Sequence, residues 1–579
     1  MLRTKLDLDS KKIRNANHVI SLGVGILIRM HLQEKIAEFF KGKLSETPED
    51  LERLSRDTSI FKRKPALLAA PYDASDLSSL VRFVATEKSR GENLSLTARS
   101  AGTDMTGGPL TDSIVVSFTE HMNKVLEVGE DYAVAEPGVF YRDFEKETLA
   151  KAGKLLPSFP ASREICAIGG IVANNSGGEL TLKYGKTERY VRSLDVVLSD
   201  GSQVIFGPLS REGLEEKKKG DSLESTIYRD MDALITENAE RITNARPKVS
   251  KNSSGYALWS VKDANKGTFD LSKLIVGSQG TLALVTKAKL GIVKRESHKA
   301  MLVIFLKDLA VLPEVVKRVL AEKPESFESY DNHTFSLAVR FLPQILRSMG
   351  LVKAIALGIS FLPELYLVLT GGVPKLVLMA EFAESTDVAA RDKVRETRHA
   401  LKELPVVTRM AAGKIGPEKY WKIRRESFNL LRKNVPGLYA APFIDDCVVL
   451  PEVYPQFLPE LEALLSQYPF TFTIAGHVGN GNFHIFPLVD MTKDAVHEDI
   501  IELNKKVYEL VLKYGGSTTG EHNDGIIRTP YVKDMFGPEM YALFEKTKNI
   551  FDPQNIFNPG KKVGGTLKDI ETHMMHSPR

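Results

Sequence analysis

A-R-S-A-G-T-D-M-T-G-G-P, residues 98–109, is the stretch on which the fold turns. Its small side chains and three glycines let main chain approach a ligand closely, and exposed amides there can cradle phosphate oxygens. Its spacing is neither that of a P-loop nor that of the dinucleotide fingerprint, so taken alone it also reads as a plain surface loop. The context adds to it. P-A-L-L-A-A-P-Y, a helix from Asp76 to about Lys88, N-L-S-L-T-A-R-S and I-V-V-S-F alternate strand-like and helix-like patterns, an α+β region. Asp73 or Ser75 stands where an N-cap is needed for that helix.

Two further glycine-rich segments follow. A-I-G-G-I-V-A-N-N-S-G-G (167–178) places glycine and asparagine inside an apolar run, as main chain pressed against a planar ligand requires. V-G-S-Q-G-T-L-A-L-V-T (276–286) turns at glycine into a strand.

Near the C-terminal end, A-G-H-V-G-N-G-N-F-H (475–484) and T-G-E-H-N-D-G (519–525) bring histidine and glutamate together. The first reads as two strands about a G-N-G-N turn, a hairpin that sets His477 beside His484. Two such histidines also read as hydrogen-bonded core residues. With Glu521 they make a three-residue donor set for a divalent metal with positions left open, as at a catalytic site. The N,N,O set favours zinc, and manganese or iron also fits. His522, beside them, is able to take a proton near neutral pH.

Composition bounds the remaining possibilities. The 579 residues exceed one hydrophobic core, so at least two domains are expected. The 78 basic and 74 acidic residues nearly balance, which argues against nucleic-acid binding through global charge. Two cysteines, Cys166 and Cys447, can build neither a disulfide framework nor an iron–sulfur cluster within this chain. Lys11, Lys12 and Arg14 before V-I-S-L-G-V-G-I-L-I (19–28) have the look of a signal peptide, but Asp7, Asp9 and the missing small-residue cleavage site favour an amphipathic helix over Ile26–Phe40 and a cytoplasmic protein. A second apolar stretch, about 338–372, is interrupted by Lys353, Pro363 and Glu364 and is too broken to span a bilayer. Edged by Arg340, Arg347 and Lys353, it reads equally as two helices on a membrane's inner face or as a buried cap.

The three glycine segments, with S-R-D-T-S-I-F-K-R-K-P (55–65) and K-N-S-S-G-Y-A-L (251–258), resemble the FAD-binding domain of the vanillyl-alcohol oxidase and p-cresol methylhydroxylase flavoproteins. The two histidine motifs and F-D-P-Q-N-I-F-N-P-G-K (551–561) resemble the branch with D-lactate dehydrogenase, D-2-hydroxyglutarate dehydrogenase and the glycolate oxidase flavin subunit. The resemblance covers about residues 53–565. It implies an α+β fold: a helical extension (1–55), a two-lobed FAD-binding domain of the p-cresol methylhydroxylase type (56–295), an α+β substrate or cap domain (296–545), and a tail returning to the flavin (546–579).

By this resemblance, Arg99, Ser100, Ala101, Gly102, Thr103, Asp104, Gly107 and Gly108 hold the FAD pyrophosphate. Ser162, Gly169, Gly170, Asn174, Ser176 and Gly177 run beside the isoalloxazine and ribityl chain, Gly280 and Thr281 lie toward the adenine, and Asn558 approaches from the tail. The first loop lacks the histidine that tethers FAD in some relatives, so noncovalent FAD is expected, with Cys166 a buried thiol. His477, His484 and Glu521 ligate the metal, His522 is the base, and Arg424 of Y-W-K-I-R-R-E-S binds the carboxylate, with Arg425 its rival.

The implied reaction oxidises a D-2-hydroxy acid to the 2-oxo acid, with hydride passing to flavin N5 and then to a quinone, an electron-transfer protein, an iron–sulfur partner or oxygen. Phe443 stands where the family commonly has lysine, which removes a contact to a distal carboxylate and favours monocarboxylates; Asn480 and Asn523 also depart from the usual pattern. Two alternatives are an alkylglycerone-phosphate-synthase-like lipid enzyme and a flavin subunit that needs an iron–sulfur partner.

Overall fold

The fold is taken from a computed structural model that describes residues 32–332, 372–412, 415–434 and 437–576. The part of the expected Ile26–Phe40 helix before Leu32, and residues 338–371 of the apolar insertion, lie outside the described residues. From Leu32 the chain is helical to residue 37, and Ile36 and Phe40 are buried.

Strands Leu67–Ala70, Ile114–Ser117 and Leu96–Arg99 run parallel in a four-stranded sheet, with Lys43–Ser45 antiparallel at one edge. The first two are buried at every residue, as the unbroken apolar runs of a covered parallel sheet require. The connecting helix, Ala74–Ser89, is capped by the Asp73 carboxylate, which accepts from the Asp76 amide. A five-stranded antiparallel sheet makes the second lobe, in the order Val125–Val128, Tyr132–Ala135, Leu284–Gly291, Val191–Val197, Gln203–Phe206. The 98–109 loop leaves the first sheet at Arg99 and re-enters it at Ile114, so it sits at the carboxyl end of a parallel strand, a usual place for a ligand in such sheets.

A third, antiparallel sheet carries the histidine motifs. Its order is Val407–Ala412, His298–Leu306, Leu376–Glu384, Ser326–Asp331, Thr471–His477, Asn482–Val489 and Tyr439–Ala440, with Cys447–Val448 also paired to Asn482–Val489. One face packs on helices Leu312–Ala321, Tyr454–Leu465 and Asp494–Lys513 through Leu302, Ile304, Phe327, Leu378 and Ile485. The alternation of a strand sends the neighbouring residues to the other face. There Met301, Val303, Tyr330, Met379 and Ala475 meet Tyr420, Trp421 and Ile423 of the helix Ile415–Asn434.

The helix Val532–Phe551 leads into a tail that returns to the first lobe: the Leu96 amide donates to the Ile556 carbonyl at 2.7 Å and the Asn558 amide to the Leu96 carbonyl at 2.9 Å. No described helix is long and apolar enough to cross a membrane.

Candidate active site

The three glycine segments converge. Asp104 accepts from the Thr106 and Gly108 amides and from the Thr106 hydroxyl through one oxygen, and from Asn174 Nδ2 at 2.9 Å through the other. The amides of Gly277 and Gln279 donate to the carbonyls of Val172 and Ala173 at 3.0 Å each. A side chain at Gly169 would collide with Ser100, whereas a Cβ at Gly170 meets nothing within 4 Å. The half-buried Ser100, Ala101, Gly102 and Thr103 present amides that meet no acceptor among the described residues. These unpaired donors, on a loop with Gly102 at φ +71°, are suited to phosphate oxygens.

Several expected contacts have other occupations. The Arg99 guanidinium is buried and donates to the carbonyls of Leu54 and Arg56, and its own carbonyl accepts from the Phe118 amide, so this residue is taken up by the fold. Asn558 donates to the carbonyls of Gly108 and Gln279 and accepts from Thr97 and Lys561, so it clasps the tail to the loops. Thr281 shares a 2.7 Å hydrogen bond with the Tyr256 hydroxyl and donates to the Ser278 carbonyl. The Ser162 carbonyl accepts from Cys166, whose thiol is buried and pushed up to about 12 by that burial.

The hairpin forms as its sequence indicates, with Ala475 opposite His484 and His477 opposite Asn482, so both imidazoles leave the same face. Gly481 turns the chain at φ +69°, where a Cβ would lie 1.8 Å from the Val449 carbonyl oxygen. Glu521 arrives from the later loop: its Oε1 is 3.0 Å from His477 Nε2 and 3.6 Å from His484 Nε2. The other nitrogen of each ring is held by a buried carboxylate, His477 Nδ1 at 2.6 Å from Glu328 and His484 Nδ1 at 2.9 Å from Asp445. This is the carboxylate–histidine pairing that fixes an imidazole with Nε2 toward an ion.

The donor chemistry fits a divalent metal. His477 has a carboxylate at each nitrogen, and burial opposes a charge there, but Glu328 outweighs it and raises the imidazole above its ordinary range. Each ring nitrogen faces a carboxylate oxygen, and a dication among the three donors would take the inner position.

His522 stacks on His484 with ring centroids 5.2 Å apart. Its Nδ1 lies 2.6 Å from Asp445 Oδ2, off the line of a well-directed hydrogen bond, so the contact is an ion pair. Burial opposes its charge, yet Asp446 and Asp445 lift it to about 9. Its side chain is 21% exposed against 7% for each of the other two histidines, so it borders the open side of the cluster. Asp446, at φ +71°, gathers the backbone of this loop by accepting from the Thr519 hydroxyl and the amides of Glu521 and His522.

Of the two arginines, Arg424 reaches the cluster, 3.4 Å from Glu328 Oε2. Arg425 points to the surface, where it pairs with Glu179 and lies over the Trp421 ring. Phe443 is buried in the core beside helix Asp494–Lys513 and brings no charge to the cluster. The glycine segments and the cluster adjoin: a Cβ at Gly177 would fall 2.9 Å from Glu521 Oε2.

Glu328, Asp445 and Asp446 complete the site without being singled out by motif, and Lys251, which opens the K-N-S-S-G-Y-A-L segment, joins them without having been given a role. Their signal in the sequence is an acid inside an apolar strand, S-F-E-S-Y-D, paired acids in F-I-D-D, and the lysine opening K-N-S-S-G-Y.

Residues 65–207 match the family model described as FAD binding domain, and residues 295–562 the one described as FAD linked oxidases, C-terminal domain. The chain is 28% identical over 530 residues to a D-2-hydroxyglutarate dehydrogenase of Pseudomonas putida, an alignment covering 90% of this chain and 50% of that protein. It is 27% identical over 536 residues to a D-lactate dehydrogenase of Archaeoglobus fulgidus, covering 91% and 98%. A solved structure of alkyldihydroxyacetonephosphate synthase matches with a TM-score of 0.61 over 91% of this chain and 84% of that one, at 16% identity, a likeness of fold alone. The chain belongs to the FAD-linked oxidases, and the relatives it is similar to include D-lactate and D-2-hydroxyglutarate dehydrogenases. It spans about half the length of the D-2-hydroxyglutarate dehydrogenases it matches.

Proposed function

We propose that this chain is an FAD- and divalent-metal-dependent dehydrogenase that oxidises a D-2-hydroxy acid, a monocarboxylate such as lactate or a longer homologue, to the 2-oxo acid. The observation that carries this reading is the meeting of two Nε2 atoms and one carboxylate oxygen beside Gly177, at the end of the segment assigned to the flavin. His477, His484 and Glu521 would hold the ion, and zinc suits the donor set. When bound, the flavin supplies a hydride acceptor and the ion a Lewis acid that lowers the hydroxyl pKa.

The protein's own groups do the rest. Arg424 takes the substrate carboxylate, for which Glu328 is its stand-in partner. His522, in its neutral form, receives the hydroxyl proton on Nε2 while Asp445 stays at its Nδ1; its rise to about 9 makes that neutral form scarcer as pH falls below that value. Burial of Glu328, Asp445 and the two ligand histidines keeps water from the donor set. FAD is held noncovalently through the amides of residues 100–103. The acceptor for the electrons is a quinone, an electron-transfer protein or an iron–sulfur partner, since this chain cannot build such a cluster from two cysteines.

The test is anaerobic bleaching of the flavin by D-2-hydroxy acids of increasing chain length, with and without chelator. Bleaching that chelator abolishes and zinc or manganese restores is expected. A flavin left oxidised by the whole panel refutes the dehydrogenase reading. Absence of bound metal, with the fold likeness to the synthase, would turn the assignment toward the non-redox lipid chemistry. Bleaching without turnover on an artificial dye would assign the chain as a flavin subunit needing a partner.

A further inference from the structure

Lys251 is a second cation at the donor set, and the reaction as described does not use it. Its side chain is fully buried, with Nζ 3.0 Å from Glu521 Oε2 and 3.5 Å from Asn482 Oδ1. It comes from the flavin-binding half of the chain and is fixed on both sides: Ser250 donates to the Asn480 carbonyl, and the Ser253 hydroxyl donates to the Gly520 carbonyl at 3.1 Å. Lys186 donates to that same Gly520 carbonyl at 2.7 Å, so two lysines of one half clamp the Glu521 loop of the other.

The two oxygens of Glu521 therefore face different things. Oε1 is turned to the two imidazoles and Oε2 to the ammonium. A carboxylate whose second oxygen is held by a buried ammonium cannot chelate an ion through both. The ammonium also stands behind the ligand, where its charge opposes a dication and draws electron density from the carboxylate.

We propose that Lys251 is a positioning residue that keeps Glu521 a one-oxygen ligand and keeps the ion loosely held and electron-poor, with positions open for the substrate's hydroxyl and carboxylate. This rests on the metal-dependent reading above. It predicts an unusual sign: removing a side chain that touches a ligand tightens the metal. Most partners of ligand groups act the other way, and their loss weakens binding.

The experiment uses chelator-stripped flavoprotein titrated with Zn2+ against a chromophoric competitor, for the wild type, Lys251→Met and Lys251→Arg. The dissociation constant of Lys251→Met should fall by about tenfold or more, while Lys251→Arg stays near wild type. With saturating ion, the ascending limb of the kcat/KM pH profile should move to higher pH in Lys251→Met and stay in place in Lys251→Arg. An unchanged or weakened affinity in Lys251→Met overturns the proposal alone. A wild type that takes up no ion overturns the metal reading and this one with it. Should Lys251→Met fail to fold without metal, refolding is followed with Zn2+ present: recovery of folded flavoprotein supports the proposal, and no recovery refutes it.

Discussion

Replacing Asp445 by asparagine probes the cluster where its parts are most tightly joined. Its Oδ1 is 2.9 Å from His484 Nδ1 and its Oδ2 is 2.6 Å from His522 Nδ1, so one carboxylate orients both an expected ligand and the expected base. Asp445 is fully buried, and although burial opposes its charge, His522 and His484 hold its carboxyl far below the ordinary range. The rise of His522 from 6.5 to about 9, which Asp446 and Asp445 produce against burial, corresponds to roughly 3 kcal/mol. Asp446, Asp445 and Glu521 all contribute to that rise, so the amide should lower the His522 pKa. Loss of the partner to His484 weakens metal binding by about 10–100-fold. Loss of a group that orients a base lowers the chemical step by about 10²–10⁴-fold. The assay is anaerobic stopped-flow reduction of the flavin at saturating zinc, with FAD content measured alongside. Asp445→Asn should keep its FAD, because the glycine segments do not touch this side chain, and should reduce it slowly. Reduction within about threefold of wild type, with full metal content, would refute the claim that Asp445 orients the base.

Other expected outcomes follow from the same geometry. Arg424→Met should raise KM for the hydroxy acid by about 10-fold or more, whereas Arg425→Met, which breaks an exposed pair, should change stability by less than ~1 kcal/mol and leave KM alone; steady-state kinetics with a dye acceptor checks both. Gly177→Ala places a Cβ 2.7 Å from Thr181 Oγ1 and 2.9 Å from Glu521 Oε2, so the variant should lose metal while staying folded, read by metal analysis and thermal melting. Lys561 is buried, and that burial, with Arg63, lowers its ammonium to about 7. The folded state therefore binds fewer protons than the unfolded chain between that value and 10.5, and stability should rise with pH there. Relative to Lys561→Met, the wild type should gain roughly 2–3 kcal/mol from pH 7 to pH 9, measured by urea unfolding, and a flat difference would refute the lowering of the Lys561 pKa by burial.

Features that depend on local chemistry were legible in the chain itself. Glycines that permit positive φ, an N-cap aspartate before an apolar-periodic helix, and a G-N-G-N turn between two alternating runs each specify backbone conformation within a few residues. The hairpin in turn places His477 and His484 on one face, because residues opposite one another in a ladder share a side. The family resemblance of the glycine segments belongs here too, since it rests on local strings.

Partners separated by long stretches of chain were decided only by the tertiary structure. Glu328 sits in a strand as an acid that local pattern assigns to solvent, until the sheet sets it against His477, 149 residues away. Lys251 meets Glu521 across 270 residues, and no local rule pairs them. Arg424 and Arg425 are equivalent in sequence but about 100° apart around a helix, so only the docking of that helix on the sheet turns one to the cluster and the other to Glu179. The physical reason is the range of the forces. Dihedral preference and capping act over a turn of chain, whereas charge neutralisation in a buried site is satisfied by whichever opposite group the folded core brings within hydrogen-bond reach.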